Sequence, residues 1–143
     1  MGAHAVIDHR TEDVPARATE LTGGRGVDTV VDTVGPHSAT ADLRLLVHCG
    51  RLAAVAGRPD LRTVRPFGMA PSVHEIALGA AYTLGDERTR ARLAAMLTDL
   101  LAMTAQGRLD AMLTRTVALD DVPEALIELS GRHVRGKIVY VRD

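Results

Sequence analysis

The chain has 143 residues, 46% of them hydrophobic, and a formal net charge of −1 at pH 7, enough apolar material for one ordinary domain or for pieces of two. Aromatics are limited to Phe67, Tyr82 and Tyr140, and near-neutral charge gives no hold on polyanions, so no nucleic acid and no membrane surface is expected as partner. A lone cysteine, Cys49, rules out an internal disulfide, and neither a signal peptide nor an apolar run approaching about eighteen residues is visible, so the expected location is cytoplasmic.

Residues 3–57 alternate short apolar runs with amphipathic stretches, the rhythm of parallel βαβ units. Val6 and Ile7 predict a strand ending at Asp8-His9. Asp13 then caps a helix with Pro15 in its first turn, stopped by Thr22-Gly23-Gly24. Residues 27–34 are the clearest strand, and Val27, Val30, Val31 and Val34 predict a central one buried on both faces. Ser38 is the expected N-cap of a helix running through Leu43, Leu46 and Val47 to near Gly50, with Arg51–Ala56 as the next strand. Pro59, Pro66, Gly68 and Pro71 make 58–71 a loop or crossover.

Two readings stand for residues 72–82. Ser72-Val73-His74-Glu75 matches a capping box and favours a helix, while Ile76–Tyr82 also reads as a buried strand. Asp86 begins the longest helix, with Leu93, Leu97, Leu100, Leu101 and Thr104 on one stripe and Gly107 at its end. Met112–Leu119 predicts a strand. A short helix follows, capped by Asp120 or Asp121, with Pro123 near its start and Ala125, Leu126 and Leu129 facing inward; Gly136–Val141 closes as a strand. A soft boundary falls near 83–86, where the alternating pattern gives way to helices.

Most candidate motifs fail on context. Gly24-Arg25-Gly26 has Thr29 where a dinucleotide fingerprint needs its third glycine, and it precedes a strand rather than a helix, so it reads as a turn. Gly131 to Lys137 matches seven positions of a phosphate loop, but Ile138 cannot ligate Mg²⁺ and the segment runs into a strand. His74-Glu75 begins an H-E-x-x-H motif in which Leu78 replaces the second histidine. His4, His9, His37, His48 and His133 lack ligand spacing beside Cys49, so no zinc site is expected. None of Ser38, Ser72 and Ser130 lies in G-x-S-x-G, and Asp120-Asp121 is explained by a helix start. Asp28 and Asp32 flank the valine-rich strand. Asp32 lies toward its C-terminal end, where open α/β sheets place ligands, and is a candidate site residue.

Five segments in order carry a resemblance: Gly2-Ala3-His4-Ala5-Val6-Ile7-Asp8-His9; Leu21-Thr22-Gly23-Gly24-Arg25-Gly26-Val27-Asp28; Asp32-Thr33-Val34-Gly35; Gly50-Arg51-Leu52; and Gly136-Lys137-Ile138-Val139. With Val117-Ala118-Leu119 and the Pro-Glu-Ala helix after it, they resemble the medium-chain dehydrogenase/reductase family over essentially the whole chain, in its quinone-oxidoreductase-like branch, often labelled zinc-binding dehydrogenase. The resemblance implies an α/β fold: a partial Rossmann domain, doubly wound and mostly parallel, at residues 1–85. A helix-strand-helix-strand tail of the GroES-like substrate domain would follow at 86–143. It implies the third to sixth Rossmann strands, with residues 74–82 as the sixth, a strand that in relatives pairs across a dimer.

It further implies that the GroES-like first domain, the first two Rossmann strands, the glycine-rich loop and the acidic or basic selector are missing. Met1 stands where relatives carry an internal leucine. By resemblance, Asp32, Thr33, Val34, Gly35, Val55, Ala56 and Gly57 would border the nicotinamide and ribose of NADP or NAD. Lys137 either reaches the cofactor phosphates or is an exposed strand-edge charge. No catalytic residue of the family maps onto the chain. The expected activity is hydride transfer to or from a quinone, enone or other carbonyl or alcohol, a small-molecule substrate, by a chain incomplete alone. A non-catalytic fragment acting through self-association or pairing with another chain is the alternative. Removing the first two strands would leave a valine-rich edge that either pairs with residues 5–9 or drives oligomerisation.

Overall fold

The computed structural model describes residues 2–131 and 133–142, in two compact units that divide between Ala80 and Ala81. The first opens with helix α1 (Val14–Leu21), whose Asp13 side chain accepts from the Ala16 amide at 2.9 Å, with proline in the first turn as expected. Strands β1 (Val27–Asp32), β2 (Leu46–Ala54) and β3 (Ser72–Glu75) form one parallel sheet in that order, and helix α2 (Pro36–Asp42) links the first two. Parallel neighbours need such a crossover, which places α2 against the sheet.

Register rows explain the core. Val30, Leu52 and Val73 lie side by side, and Leu52 is fully buried with Ala39, Leu43 and Leu46, while Val64 packs alongside. The next row, Val31, Ala53 and His74, belongs to the opposite face, where Val31 is 64% exposed. β1 is thus an edge strand covered on one face, and the expectation of a strand buried on both faces is corrected. Alternation of side chains across a strand makes one covered face sufficient for half the valines only.

Four other expectations change. Residues 5–9 form no strand, because no strand lies beside them to pair their backbone, and Val6 is exposed. Ser38 does not cap α2; Gly35 does, and Pro36 starts the helix. Leu46 and Val47 belong to β2, since a 3₁₀ turn at Leu43–Leu45 ends the helical run. β2 then bulges: Val47–Gly50 lie between Leu46 and Arg51 opposite Asp28 alone, with Cys49 at φ 59°. The expected strand at 74–82 is also displaced. β3 covers Ser72–Glu75, pairing with Arg51–Ala54, and a short helix α3 (Ala80–Thr83) follows at the boundary between units.

The second unit holds α4 (Glu87–Ala105), β4 (Leu113–Val117), α5 (Val122–Ser130) and β5 (Lys137–Tyr140). Asp86 caps α4 through the Thr89 amide at 2.8 Å, and Gly107 beyond its end adopts φ 69°. β4 and β5 pair in parallel with α5 as crossover. Ala125 is buried, but Leu126 is 60% exposed, so the inward stripe of α5 is narrower than its sequence suggests. The phosphate-loop-like segment runs into β5 as expected; Arg132 within it lies outside the described residues, as does Met1. Among the described residues no helix is long and apolar enough to cross a membrane.

Candidate functional site

The C-terminal ends of the three strands of the first unit are level: Asp32 sits beside Ala54, and Ala54 beside Glu75. The Val55 amide donates to the Asp32 carbonyl at 2.8 Å and the Ile76 amide to that of Ala54 at 2.9 Å, so the chain leaves each strand at the same height. This brings together seven of the eight candidates, Asp32-Thr33-Val34-Gly35 and Val55-Ala56-Gly57, on neighbouring loops. Lys137 belongs to the second unit, where its ammonium donates to the Ala111 carbonyl at 2.9 Å and its amide to that of Met112 at 2.8 Å.

Asp32 is turned inward. It is 3% exposed, and one carboxylate oxygen accepts from the Val34 amide at 3.1 Å and the Gly35 amide at 3.0 Å. Burial raises its carboxyl, but hydrogen bonds from the Ser38 hydroxyl, those two amides and the Asp42 carboxyl outweigh that and hold it below the usual range. On Asp42, burial, the charge of Asp32 and their shared hydrogen bond all act upward. The two acids are therefore pushed in opposite directions, Asp32 down and Asp42 up. Ser38 and Asp42 were invisible as site residues in the sequence. An aspartate ending a strand just before a Gly-Pro helix start is a local signal for such an Asx turn. Asp28, at the other end of β1, is exposed and paired with Arg25.

The loops meet through two glycines. Gly35 (φ 153°, ψ −178°) and Gly57 (φ 153°) occupy a region essentially confined to glycine. A Cβ on Gly57 would come within 2.6 Å of Pro36 Cγ, so the second loop rests directly on the start of α2. Around Gly35 there is open space. Val34, 79% exposed, and Val55, 47% exposed, leave an apolar crest with bare backbone beside it. Next to the crest, Arg58 pairs with Glu75 beside a cavity of about 120 Å³ lined also by Val55, Gly57 and Ile76. That volume falls below the roughly 300 Å³ at which drug-sized ligands are enclosed, so the crest is an open platform.

As a cofactor platform it fits one part of a dinucleotide. Val34, Val55 and glycine backbone suit a flat ring and ribose. The Val34 and Gly35 amides, already held by Asp32, are not free to bind phosphate. Among the described residues no three or more His, Cys, Asp or Glu side chains are grouped to hold a metal.

A family model described as zinc-binding dehydrogenase matches residues 1–139. The chain belongs to that family. Within it the chain is quinone-oxidoreductase-like, a medium-chain dehydrogenase/reductase with a partial Rossmann fold. It is 26% identical to a quinone oxidoreductase of Salmonella typhimurium over 98% of this chain and 43% of the relative, and 28% identical to a 2-haloacrylate reductase of Burkholderia over 99% and 43%. The crystal structure of Escherichia coli quinone oxidoreductase complexed with NADPH superposes with a TM-score of 0.73 at 25% identity, covering 99% of this chain and 44% of that one. The chain thus spans less than half the length of these relatives.

Proposed function

We propose that the crest formed by Asp32–Gly35 and Val55–Gly57 receives the nicotinamide and ribose of NADP or NAD. The chain would serve as the C-terminal part of an oxidoreductase acting on a quinone, enone or other carbonyl or alcohol. The observation that carries this reading is the pair of glycines, Gly35 and Gly57, held in glycine-only conformations on adjoining loops at the C-terminal ends of parallel strands. The cofactor, when bound, supplies the hydride. Val34 and Val55 would pack on the ring and exclude water from it, while Asp32 fixes the loop that presents them. Lys137 is proposed as a phosphate contact, an alternative use of the ammonium now held by Ala111. By the same family reasoning, the segment at 74–82, which contains part of β3, is proposed as a homodimer contact.

A second reading has its own support: the outward face of β1 and the crest expose Val31 and Val34, and no residue of α4 is buried. Surfaces of this kind suit a chain whose use is association rather than catalysis.

Titration of the chain with NADPH and NADH, followed by amide chemical shifts, separates the two. The first reading expects weak saturable binding with shifts at residues 33–35 and 55–57. Absence of shifts there at millimolar cofactor sinks it. Hydride transfer to a quinone on adding the N-terminal portion of a related quinone oxidoreductase would then favour a split enzyme over an association module.

A further inference from the structure

A second concavity lies at the opposite end of the sheet. Gly26, Leu45 and Pro71 immediately precede β1, β2 and β3, and two adjoining cavities open around them. One, of about 260 Å³, is walled by Leu43, Val64, Met69 and Pro71 together with Arg44 and Arg65. The other, of about 230 Å³, shares Arg44 and Met69 with it and is the more polar of the two. No carboxylate lines either.

Two cationic side chains and an unusual backbone meet at this place. Arg44 and Arg65 are exposed and, like Arg10 and Arg51 elsewhere in this unit, have no carboxylate partner among the described residues, but only these two line one apolar cavity together. Of the four described non-glycine residues with positive φ, three cluster here: Phe67 at 54°, Ala70 at 46° and Cys49 at 59°. The Cys49 amide donates to the Met69 carbonyl at 2.8 Å, which ties the bulge of β2 to the loop walling the apolar cavity. Non-glycine residues in sparsely populated conformations concentrate at ligand clamps, because elsewhere nothing offsets the strain.

We propose that these cavities form a ligand site for a monocarboxylate with a short apolar body. The body fills the space between Leu43, Val64 and Pro71, and the carboxylate is held by the guanidinium groups of Arg44 and Arg65, whose planar fork matches it. The site is separate from the crest at the C-terminal strand ends and does not rest on the dinucleotide reading.

Octanoate is the probe, titrated into the full chain at low ionic strength with amide shifts as readout. The expected result is saturable binding with shifts at Leu43, Val64 and Met69. Octan-1-ol should bind roughly tenfold more weakly or worse, the weight of one charge-assisted contact. The double variant Arg44→Gln, Arg65→Gln changes two exposed side chains, keeps the fold by far-UV dichroism, and loses octanoate affinity by roughly tenfold or more. Excess NADPH leaves octanoate binding unchanged. Equal affinity for octanol would mark an apolar face that protein side chains cover, and would overturn the proposal. So would undiminished binding by the double variant, displacement by NADPH, or no binding at millimolar octanoate.

Discussion

Replacing Gly57 by alanine tests the contact on which the candidate crest is built. Two penalties act together. At φ 153° an L side chain is strained whatever the space around it, at a cost of about 1–3 kcal/mol. The new methyl would also meet Pro36 Cγ at 2.6 Å, Pro36 Cδ at 2.7 Å and Pro36 N at 3.3 Å. These atoms belong to a closed ring and the backbone at a helix start, so they cannot swing aside, and overpacking of this kind adds about 1–3 kcal/mol. The total is about 2–6 kcal/mol, a large part of the stability of a domain of this size, and corresponds to a fall in melting temperature of about 10 °C or more. Gly35→Ala is the matched control: the same φ, but nothing within 4 Å of the new atom, so only the backbone cost of about 1–3 kcal/mol applies. Gly79→Ala, with open space and no unusual φ, should change stability by no more than about 0.5 kcal/mol. Both tyrosines, Tyr82 and Tyr140, lie in the second unit, so their fluorescence does not report on this event. Far-UV dichroism with amide exchange at Val30 and Leu52 does. A Gly57→Ala variant that exchanges and melts no worse than Gly35→Ala would refute the idea that the second loop rests on Pro36.

Four further outcomes are expected. Asp32→Ala leaves the Val34 and Gly35 amides without their acceptor and should cost about 1–3 kcal/mol by denaturant titration; an unchanged midpoint would show that the carboxylate does not hold the loop. Asp42 binds its proton more tightly folded than unfolded, so stability falls as pH rises from about 4 through its raised folded value. Asp42→Asn offers an amide donor toward Asp32 and removes that loss, so it should stabilise the chain at pH 7 and lose its advantage below about pH 4; equal midpoints at both pH values would show that the fold does not raise the Asp42 carboxyl. β1 and β3 each leave an outer edge unpaired among the described residues, so sedimentation velocity should show concentration-dependent association, reduced by Val31→Lys on the exposed face. A strict monomer at high concentration would count against it. In calorimetry NADPH should bind more weakly than about 100 µM, since among the described residues no strand-to-helix glycine loop offers free amides to its phosphates; micromolar affinity would overturn this.

What the sequence determined by itself were the local features. Asp13 and Asp86 cap helices through amides three residues on, Gly107 ends α4 and Val27 begins a strand, because each depends on neighbours within one turn of chain. The order of five short segments likewise identified the family, since their spacing is a property of the chain alone. The tertiary structure decided the rest. Leu43, Leu46 and Val47 fit a helical stripe as well as a strand start, and the tertiary fold settled Leu43 as the start of a 3₁₀ turn and Leu46 and Val47 as the beginning of β2, where Leu46 pairs with Val27 of β1. Val6 and Ile7 have strand composition but no strand beside them, and a strand needs a partner for its backbone. Asp32 looked like a residue facing a ligand, and the fold turned it inward onto Val34, Gly35, Ser38 and Asp42. Which face of a strand is covered, and where a carboxylate at its end points, depend on elements distant in sequence, so only packing could fix them.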